Sequence, residues 1–312
     1  MTDRPLRLGT RRSPLAMAQA EEARDRLCAA HPGLAVEIVP VLASGDKIQD
    51  RPLAEIGGKA LWTKELDGWL LSGEIDLAVH SAKDVETLRP AGLAIAAVLP
   101  RADVRDVLVL RQAEDERGLG SLEALPPGAR IGTSAPRRAA QALHFRPDCQ
   151  IVSFRGNVAT RLGKLAAGEA DATLLAAAGL ERLGQSDVGA ALDPQMWLPA
   201  PGQGCIAIEC RADDAATASL LAAIDHQPSH AALLAERALL AALGGNCHSP
   251  IAALTEHRGE ELVLHAALFS PDGSERVAAT LHFPAGDQAG PAELARLLLD
   301  QASPNIRQHF EG

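Results

Sequence analysis

The sequence contains no tyrosine, and all aromatic residues together make up only 3% of it. Few rings are therefore available to stack on nucleic-acid bases. The formal net charge of −10, without any run of basic residues, points the same way, because phosphate binding requires a positively charged surface. We expect no nucleic-acid partner.

Long hydrophobic runs and paired cysteines are missing as well. No apolar segment reaches the roughly 18 residues of a membrane span, and the first residues lack the hydrophobic stretch of a signal peptide. The five cysteines include no C-x-x-C pair, so neither a disulfide framework nor a structural zinc site is indicated. These features predict a cytoplasmic protein with no membrane partner and no metal.

Lysine is also scarce: only five of the 30 basic residues are lysine, and the rest are arginine. The arginine side chain binds carboxylates bidentately, so this bias can indicate an anionic ligand. A genome with GC-rich codons gives the same bias, and only the positions of the arginines separate the two explanations. The 312 residues, 47% of them hydrophobic, are enough for two or three folded domains.

Strands and helices alternate through the first two thirds of the chain. Periodic apolar residues predict helices over 14–31, 61–71 and 158–167. Short apolar runs predict strands over 6–9, 34–39, 75–79, 107–110, 129–132, 150–154, 171–176 and 202–209. Ser13 and Asn157 are suited to cap the first and third helices. The alternation predicts two α/β blocks, which we expect to be structurally related.

The pattern changes in the last third of the chain. It predicts a helix capped by Ser229 and ending at Leu243, then two alternating strands over 261–269 and 275–283, and a final helix over 291–302. This sequence of elements is typical of a small α+β domain.

Basic residues follow the predicted strands directly, beside Gly, Ser, Thr or Asn. Guanidinium groups and the free N–H groups at helix starts together favour anions. We therefore predict a site for a ligand with several carboxylates or phosphates, formed by Arg11, Lys83, Arg137, Arg138, Arg155 and Arg161.

Two further residues are candidates for chemistry. Asp84 ends the polar run that follows the strand at 75–79, where a carboxylate can stabilise a cation or transfer a proton, but it can equally cap the next turn. Cys247 lies in a glycine-rich loop beside His248, a setting that favours a reactive thiol over a metal ligand. Acyl transfer by this Cys-His pair is a further interpretation.

Eight segments carry a resemblance that spans nearly the whole chain. They are T-R-R-S-P-L-A at 10–16, G-G-K-A-L-W-T-K-E-L at 57–66, D-L-A-V-H-S-A-K-D-V at 76–85, G-T-S-A-P-R-R at 132–138, F-R-G-N-V-A-T-R-L at 154–162, A-A-G-L-E-R-L-G at 177–184, L-P-A-P-G-Q-G at 198–204 and L-G-G-N-C-H-S-P-I at 243–251. In this order and spacing they resemble the porphobilinogen deaminases, also called hydroxymethylbilane synthases.

The resemblance implies an α/β fold with two domains like those of type II periplasmic binding proteins and a smaller α+β carboxyl-terminal domain. The implied boundaries are 1–100 with 198–220 for the first domain, 101–197 for the second, and 221–312 for the third, which carries the cofactor cysteine.

The resemblance also implies a transferase of tetrapyrrole biosynthesis that acts as a monomer. Four molecules of porphobilinogen condense head to tail into hydroxymethylbilane, and ammonia is released each time. The implied cofactor is a dipyrromethane, bound through a thioether to Cys247. Because every pyrrole carries an acetate and a propionate, a growing chain of this kind accounts for the arginines.

The site roles follow from the matching positions. Asp84 is implied as the catalytic residue that holds the pyrrole N–H groups and stabilises the cation formed as ammonia leaves. The residues implied to bind carboxylates of cofactor and substrate are Arg11, Ser13, Lys59, Lys83, Thr133, Arg137, Arg138, Arg155, Arg161 and Arg182. Asp46 and Gln203 match cleft positions less specifically.

The chain departs from the usual family pattern at four positions. Ala135 and Pro136 stand where many members have Ser and Leu, which removes one hydroxyl contact to the cofactor, while Glu86 replaces a usual Pro and Trp62 a usual Phe. The alternative function is that of a two-lobed protein that binds or senses an organic anion without catalysis.

Overall fold

The computed structural model describes residues 4–41, 60–111, 121–245 and 249–310. Its strands are β1 (Leu6–Arg11), β2 (Val36–Val41), β3 (Leu77–Ser81), β4 (Leu93–Val98), β5 (Asp106–Leu110), β6 (Arg130–Gly132), β7 (Gln150–Val152), β8 (Ala172–Ala176), β9 (Ala190–Ala191), β10 (Ile206–Arg211), β11 (Ile251–Arg258), β12 (Glu261–Phe269) and β13 (Arg276–Pro284). Its helices are α1 (Pro14–Ala30), α2 (Ala60–Ser72), α3 (Pro136–Phe145), α4 (Val158–Ala166), α5 (Ala177–Arg182), α6 (Ala215–Ala222), α7 (Gln227–Ala242), α8 (Ala289–Gln301) and α9 (Pro304–Arg307).

The chain forms two compact units. The first consists of Met1–Ala102 with Gly204–Leu233, and the second of Asp103–Gln203 with Leu234–Gly312. The second unit contains both an α/β sheet and a separate three-stranded sheet. The three-domain division expected from the sequence stays a prediction.

The sheet of the first unit has the strand order β2-β1-β3-β10-β4. β1 is parallel to β2 and β3, whereas β10 is antiparallel to β3 and β4. Helices cover both faces: Leu27 of α1 packs with Leu8 and Leu77 on one side, and Leu66 and Leu70 of α2 pack on the other. Buried strands with helices on both faces are the arrangement that the apolar runs predicted.

The α/β sheet of the second unit repeats this topology. Its order is β7-β6-β8-β5-β9, with β6 parallel to β7 and β8, and β5 antiparallel to β8 and β9. In both sheets the first parallel strand therefore lies between the second and the third, and an antiparallel strand is inserted between the third and the last. The inserted strand is β10 in the first sheet and β5 in the second. The predicted relationship between the two blocks is confirmed, and so is the α/β fold class with two five-stranded sheets and a third, smaller sheet.

The three-stranded sheet is antiparallel throughout, in the order β11-β12-β13. Ala140 of α3 packs against Ala252 and Ala267 on this sheet, and α8 packs on β13. β11 was not predicted from the sequence, whereas β12 and β13 were predicted within one residue.

Both predicted caps of the α/β helices are confirmed, but the third is wrong. Ser13 Oγ accepts a hydrogen bond from the Ala16 backbone at the start of α1. Asn157 caps α4 in the same way. Ser229, in contrast, lies inside α7, which begins two residues earlier at Gln227. Pro228 does not prevent this start, because proline is tolerated in the first turn of a helix. The Ser229 hydroxyl instead accepts a hydrogen bond from the backbone N–H of Arg101 at 2.8 Å.

The described residues contain neither a membrane-spanning helix nor a cluster of metal ligands. No helix in this part of the chain is long and apolar enough to cross a membrane. Within the same ranges, no group of three or more His, Cys, Asp or Glu side chains is arranged to hold a metal ion.

Candidate active site

The carboxyl ends of β1 and β3 carry the candidate residues of the first unit. Because the two strands are parallel neighbours, their ends meet at one edge of the sheet. Arg11 is the last residue of β1, and Ser13 follows it as the cap of α1. Lys83 and Asp84 lie in the 3-10 turn Ala82–Asp84 directly after β3. The structure thus brings these four predicted residues to the same edge.

Asp84 is half-buried in this turn. The turn is closed by the backbone N–H of Val85, which donates to the carbonyl of Ala82 at 3.2 Å. In the described part of the chain no hydrogen bond to the Asp84 carboxylate is present, so the turn-capping interpretation gains no support. A carboxylate beside Lys83 at a strand end is therefore available to a ligand.

The buried side-chain amide of Gln19 connects two elements at the same edge. Gln19 of α1 is 3% exposed, and its Nε2 lies 2.9 Å from Oγ of Ser81, the last residue of β3. This contact joins the helix that Ser13 caps to the strand that precedes Asp84. Gln19 was not singled out from the sequence, because a glutamine inside an amphipathic helix gives no signal of its own.

The second unit places its candidates after β6, β7 and β8. Thr133 directly follows β6 and is 2% exposed, and its backbone N–H donates to Val152 at 2.8 Å. Ser134 Oγ donates to the carbonyl of Phe154 at 2.6 Å. These bonds join the loop after β6 to the loop after β7, where Arg155 lies.

The loop after β7 leads into α4 through a tight turn. Gly156 has φ +108°, and a Cβ at this position would lie 2.6 Å from Thr160, so glycine is required. Asn157 Oδ1 accepts the Thr160 N–H at 2.9 Å, and Arg161 Nε donates to the Gly156 carbonyl at 3.0 Å. Arg182 ends α5, the helix after β8. Basic side chains therefore follow β7 and β8, the two strands that flank β6 in this sheet.

Arg137 and Arg138 are in the protein interior. Each is 5% exposed, and both face the carboxylate of Asp106, with Nη2 to oxygen distances of 2.8 Å and 2.7 Å. Their Nη1 atoms donate to the carbonyls of Leu198 and Leu174. Their predicted contacts with ligand carboxylates stay a prediction; in the structure they hold a buried anion of their own chain.

Asp106 is the centre of this buried cluster and was missed from the sequence. It is fully buried on β5, and it also accepts hydrogen bonds from Trp197 Nε1 at 2.8 Å and Gln203 Nε2 at 2.9 Å. Burial opposes its ionisation, but Arg137 and Arg138 outweigh burial and hold the pKa of Asp106 well below its ordinary value. Gln203, a predicted cleft residue, thus belongs to this cluster.

Three predicted residues lie outside the described part of the chain. They are Asp46, Lys59 and Cys247, and their roles stay predictions.

Two family models match the chain in sequence. The model described as "Porphobilinogen deaminase, dipyromethane cofactor binding domain" matches residues 6–219. The model described as "Porphobilinogen deaminase, C-terminal domain" matches residues 230–299.

Curated relatives match over nearly their full length. A protein of Sphingopyxis alaskensis named porphobilinogen deaminase is 59% identical over 312 residues, which cover 99% of this chain and 97% of the relative. A protein of Paracoccus denitrificans with the same name is 53% identical over 289 residues, which cover 91% of this chain and 90% of the relative.

The solved structures that match the chain are more distant in sequence. The VFT2 domain of Bordetella pertussis BvgS is 20% identical, with a TM-score of 0.41, and covers 70% of this chain and 85% of its own. A TRAP periplasmic solute binding protein from Ralstonia eutropha H16 is 12% identical, with a TM-score of 0.40, and covers 71% of this chain and 76% of its own.

The two family models together account for both the α/β blocks and the carboxyl-terminal region, and the relatives extend the match across the whole chain. A purely anion-binding protein is not favoured by this result. The chain belongs to the porphobilinogen deaminase family of transferases, which use a dipyrromethane cofactor in tetrapyrrole biosynthesis.

Proposed function

We propose that Asp84 is the catalytic residue of this chain in the family's reaction, the condensation of four porphobilinogens into hydroxymethylbilane with loss of ammonia. The observation that carries this proposal is the position of Asp84. It is a carboxylate without a described hydrogen-bond donor, it lies beside Lys83, and it follows a buried parallel strand whose neighbour ends at Arg11.

The proposed chemistry follows from charge. As ammonia leaves the aminomethyl group of porphobilinogen, positive charge develops on the pyrrole ring of the substrate. This charge is greatest in the transition state, and a fixed carboxylate stabilises that state more than the bound substrate. Asp84 therefore lowers the barrier to loss of ammonia rather than the dissociation constant of porphobilinogen. The same carboxylate can accept the pyrrole N–H as a hydrogen bond and keep the ring in place.

The donors at the strand ends fit a dipyrromethane. This group carries two acetates and two propionates, and each unit by itself has groups suited to carboxylates at its strand ends: Arg11, Ser13 and Lys83 in the first unit, and Arg155 with the start of α4 in the second. When bound, the cofactor supplies the pyrrole carbon to which the first substrate is joined. We assign carboxylate binding to Arg11, Ser13, Lys59, Lys83, Thr133, Arg155, Arg161 and Arg182, with Asp46 as a further cleft residue. The resemblance gives the same role to Arg137 and Arg138 and a cleft position to Gln203, but in the structure all three bind Asp106, so their contact with a ligand stays a prediction.

Cys247 is proposed as the attachment point of the cofactor. The support is its position in the L-G-G-N-C-H-S-P-I segment. The other four cysteines are less accessible to a cofactor: Cys149, Cys205 and Cys210 are buried, and Cys28 is partly buried in α1.

We further propose that the protein acts as a cytoplasmic monomer with no nucleic-acid or membrane partner. The acidic charge of −10 supports the absence of nucleic acid. We also propose domains at 1–100 with 198–220, 101–197 and 221–312. The separate family match at 230–299 supports a distinct last domain.

Intact-protein mass tests the attachment. We expect the purified protein to exceed its sequence mass by two linked pyrrole units, Cys247→Ser to lose this increment, and Cys205→Ser, the matched buried cysteine, to keep it. An unmodified mass for active wild-type protein would refute the assignment. An acidic aldehyde reagent for pyrroles provides an independent colour test on the same samples.

Turnover tests Asp84. Asp84→Asn keeps the shape and removes the charge, so we expect it to retain pyrroles on Cys247 and to turn over at least about a hundredfold more slowly, which corresponds to about 2.7 kcal/mol of barrier. A folded variant with near-normal rate would show that Asp84 has no catalytic role.

A further inference from the structure

Arg89 lies at the far end of the loop that carries Asp84, and its side chain is only 8% exposed. The guanidinium group forms a bidentate pair with Glu209: Nε donates to Oε1 and Nη2 to Oε2, both at 2.8 Å. Nη2 also donates to Oδ1 of Asp67 at 2.5 Å. A buried arginine therefore joins the loop to two carboxylates on two other elements, since Glu209 belongs to β10 and Asp67 to α2.

The ionisation of Glu209 and of Arg89 depends on the groups around them. Glu209 is fully buried, and His80 Nε2 of β3 lies 3.3 Å from its Oε2. Burial opposes ionisation, but His80 and Arg89 outweigh it and lower the pKa of Glu209 to about 2. The two carboxylates likewise raise the pKa of Arg89 against the effect of its burial. Arg89, Glu209 and Asp67 are therefore joined by buried, charge-assisted hydrogen bonds, and the loss of one partner leaves another charge unpaired.

The loop is fixed to β10 at both ends. At its start, the backbone N–H of Ala82 donates to the carbonyl of Cys205, the residue before β10, at 3.0 Å. At its far end, Arg89 binds Glu209 on the same strand. Asp84 lies between these two anchors.

The far anchor also lies close to a departure noted in the sequence. Glu86 stands where the resemblance leads one to expect proline, whose ring would restrict the backbone just after Asp84. In this chain Glu86 Oε2 lies 3.7 Å from Arg89 Nη1. This contact is an ion pair without a hydrogen bond, so the segment is anchored by the bonds of Arg89 to Glu209 and Asp67 and not by Glu86.

We propose that Arg89 is a positioning residue for Asp84: its pairs with Glu209 and Asp67 hold the loop so that the Asp84 carboxylate meets the substrate. This inference rests on the proposed catalytic role of Asp84. Arg89 acts through the backbone of the loop and does not itself contact the reacting atoms.

The test measures kcat, KM for porphobilinogen and thermal midpoint on the cofactor-loaded enzyme. Arg89→Met should lower kcat at least tenfold with KM changed less than threefold, and should also lower the midpoint because Glu209 loses its partner. Arg89→Met leaves Glu209 and Asp67 without their arginine partner, and its combination with Glu209→Gln removes the more deeply buried of these two carboxylates. We expect this double variant to recover part of the lost thermal stability while its kcat stays low.

Arg211→Met is the matched control. Arg211 lies on β10 two residues after Glu209, pairs with Asp214 at 2.5 Å, and donates to the carbonyls of Leu70 and Ile75. Its loss should lower the thermal midpoint without the drop in kcat. Arg89→Lys retains one charge but not the bidentate geometry, so its kcat should fall between wild type and Arg89→Met.

The outcomes are distinct. If kcat recovers together with stability in the double variant, or if Arg89→Met behaves like Arg211→Met, Arg89 is only structural and the inference is overturned. If Arg89→Met does not fold, Arg89→Lys and the double variant decide by the same criterion. Asp84→Asn is measured in parallel: a normal rate for it refutes the proposed function, whereas a slow Asp84→Asn beside a fast Arg89→Met refutes only the positioning role.

Discussion

Replacement of Asp106 by asparagine should destabilise the protein far more than the loss of one surface charge. The carboxylate is fully buried and faces Arg137 and Arg138 at 2.8 Å and 2.7 Å. Asparagine offers one acceptor oxygen, and its NH₂ group would face the remaining N–H donors. Two buried guanidinium groups would then lose the anion between them, a change that costs about 3 to 5 kcal/mol.

Such a loss is a large fraction of the roughly 5 to 15 kcal/mol that stabilises a typical folded protein. Urea unfolding of wild type and Asp106→Asn, followed by tryptophan fluorescence, measures it, and Trp197 reports directly because its Nε1 donates to Asp106. Asp148→Asn is the control: Asp148 pairs with Arg146 at 2.8 Å, but its side chain is 42% exposed, so its loss should lower the unfolding free energy far less than Asp106→Asn does. Equal losses for the two variants would refute the reasoning.

Three further predictions concern the remaining charges and the close packing at the strand ends. The pKa of Glu209 is lowered from 4.5 to about 2, so its contribution to folding is complete above pH 4.5 and is lost as the pH falls toward 2. This contribution amounts to at most about 3 kcal/mol. The free energy of unfolding, measured against pH in acid, should therefore fall less steeply for Glu209→Gln than for wild type. Gly132→Ala should cost about 1 to 3 kcal/mol in urea unfolding, since its Cβ would lie 2.5 Å from the buried Phe154 ring, and an unchanged unfolding energy would contradict this. Arg155→Leu should impair cofactor loading, seen in the intact mass, or raise KM for porphobilinogen. Arg296→Leu should do neither, because the Arg296 side chain is 64% exposed. Similar effects of the two variants on mass and kinetics would mean that the many arginines only reflect the composition of the sequence.

Most of the local structure could be predicted because its causes are local. Ser13 and Asn157 cap α1 and α4 because a short polar side chain at that point satisfies a free backbone N–H within three residues. Buried strands such as β3 and β8 were visible as apolar runs. Ser229 failed as a cap because a serine also serves as an acceptor for a distant backbone N–H, here that of Arg101.

Strand direction and pairing could not be predicted in this way. β10 was expected as one more strand of an α/β block, but it is inserted antiparallel between β3 and β4. β5 is inserted in the same way between β8 and β9. An apolar run has the same composition in either direction, so only the complete sheet decides which neighbours it pairs with.

The sequence by itself determined the family and much of the alternation of strands and helices in the two α/β blocks, because motifs and spacing carry that information. It also identified Asp84 and the basic strand-end residues as candidates. Only the tertiary structure decided which charges face one another: Asp106 with Arg137 and Arg138, and Glu209 with Arg89. An acidic residue within an apolar strand looks the same in sequence whether it is exposed or buried, and its pKa and role depend on the partners that distant segments bring to it.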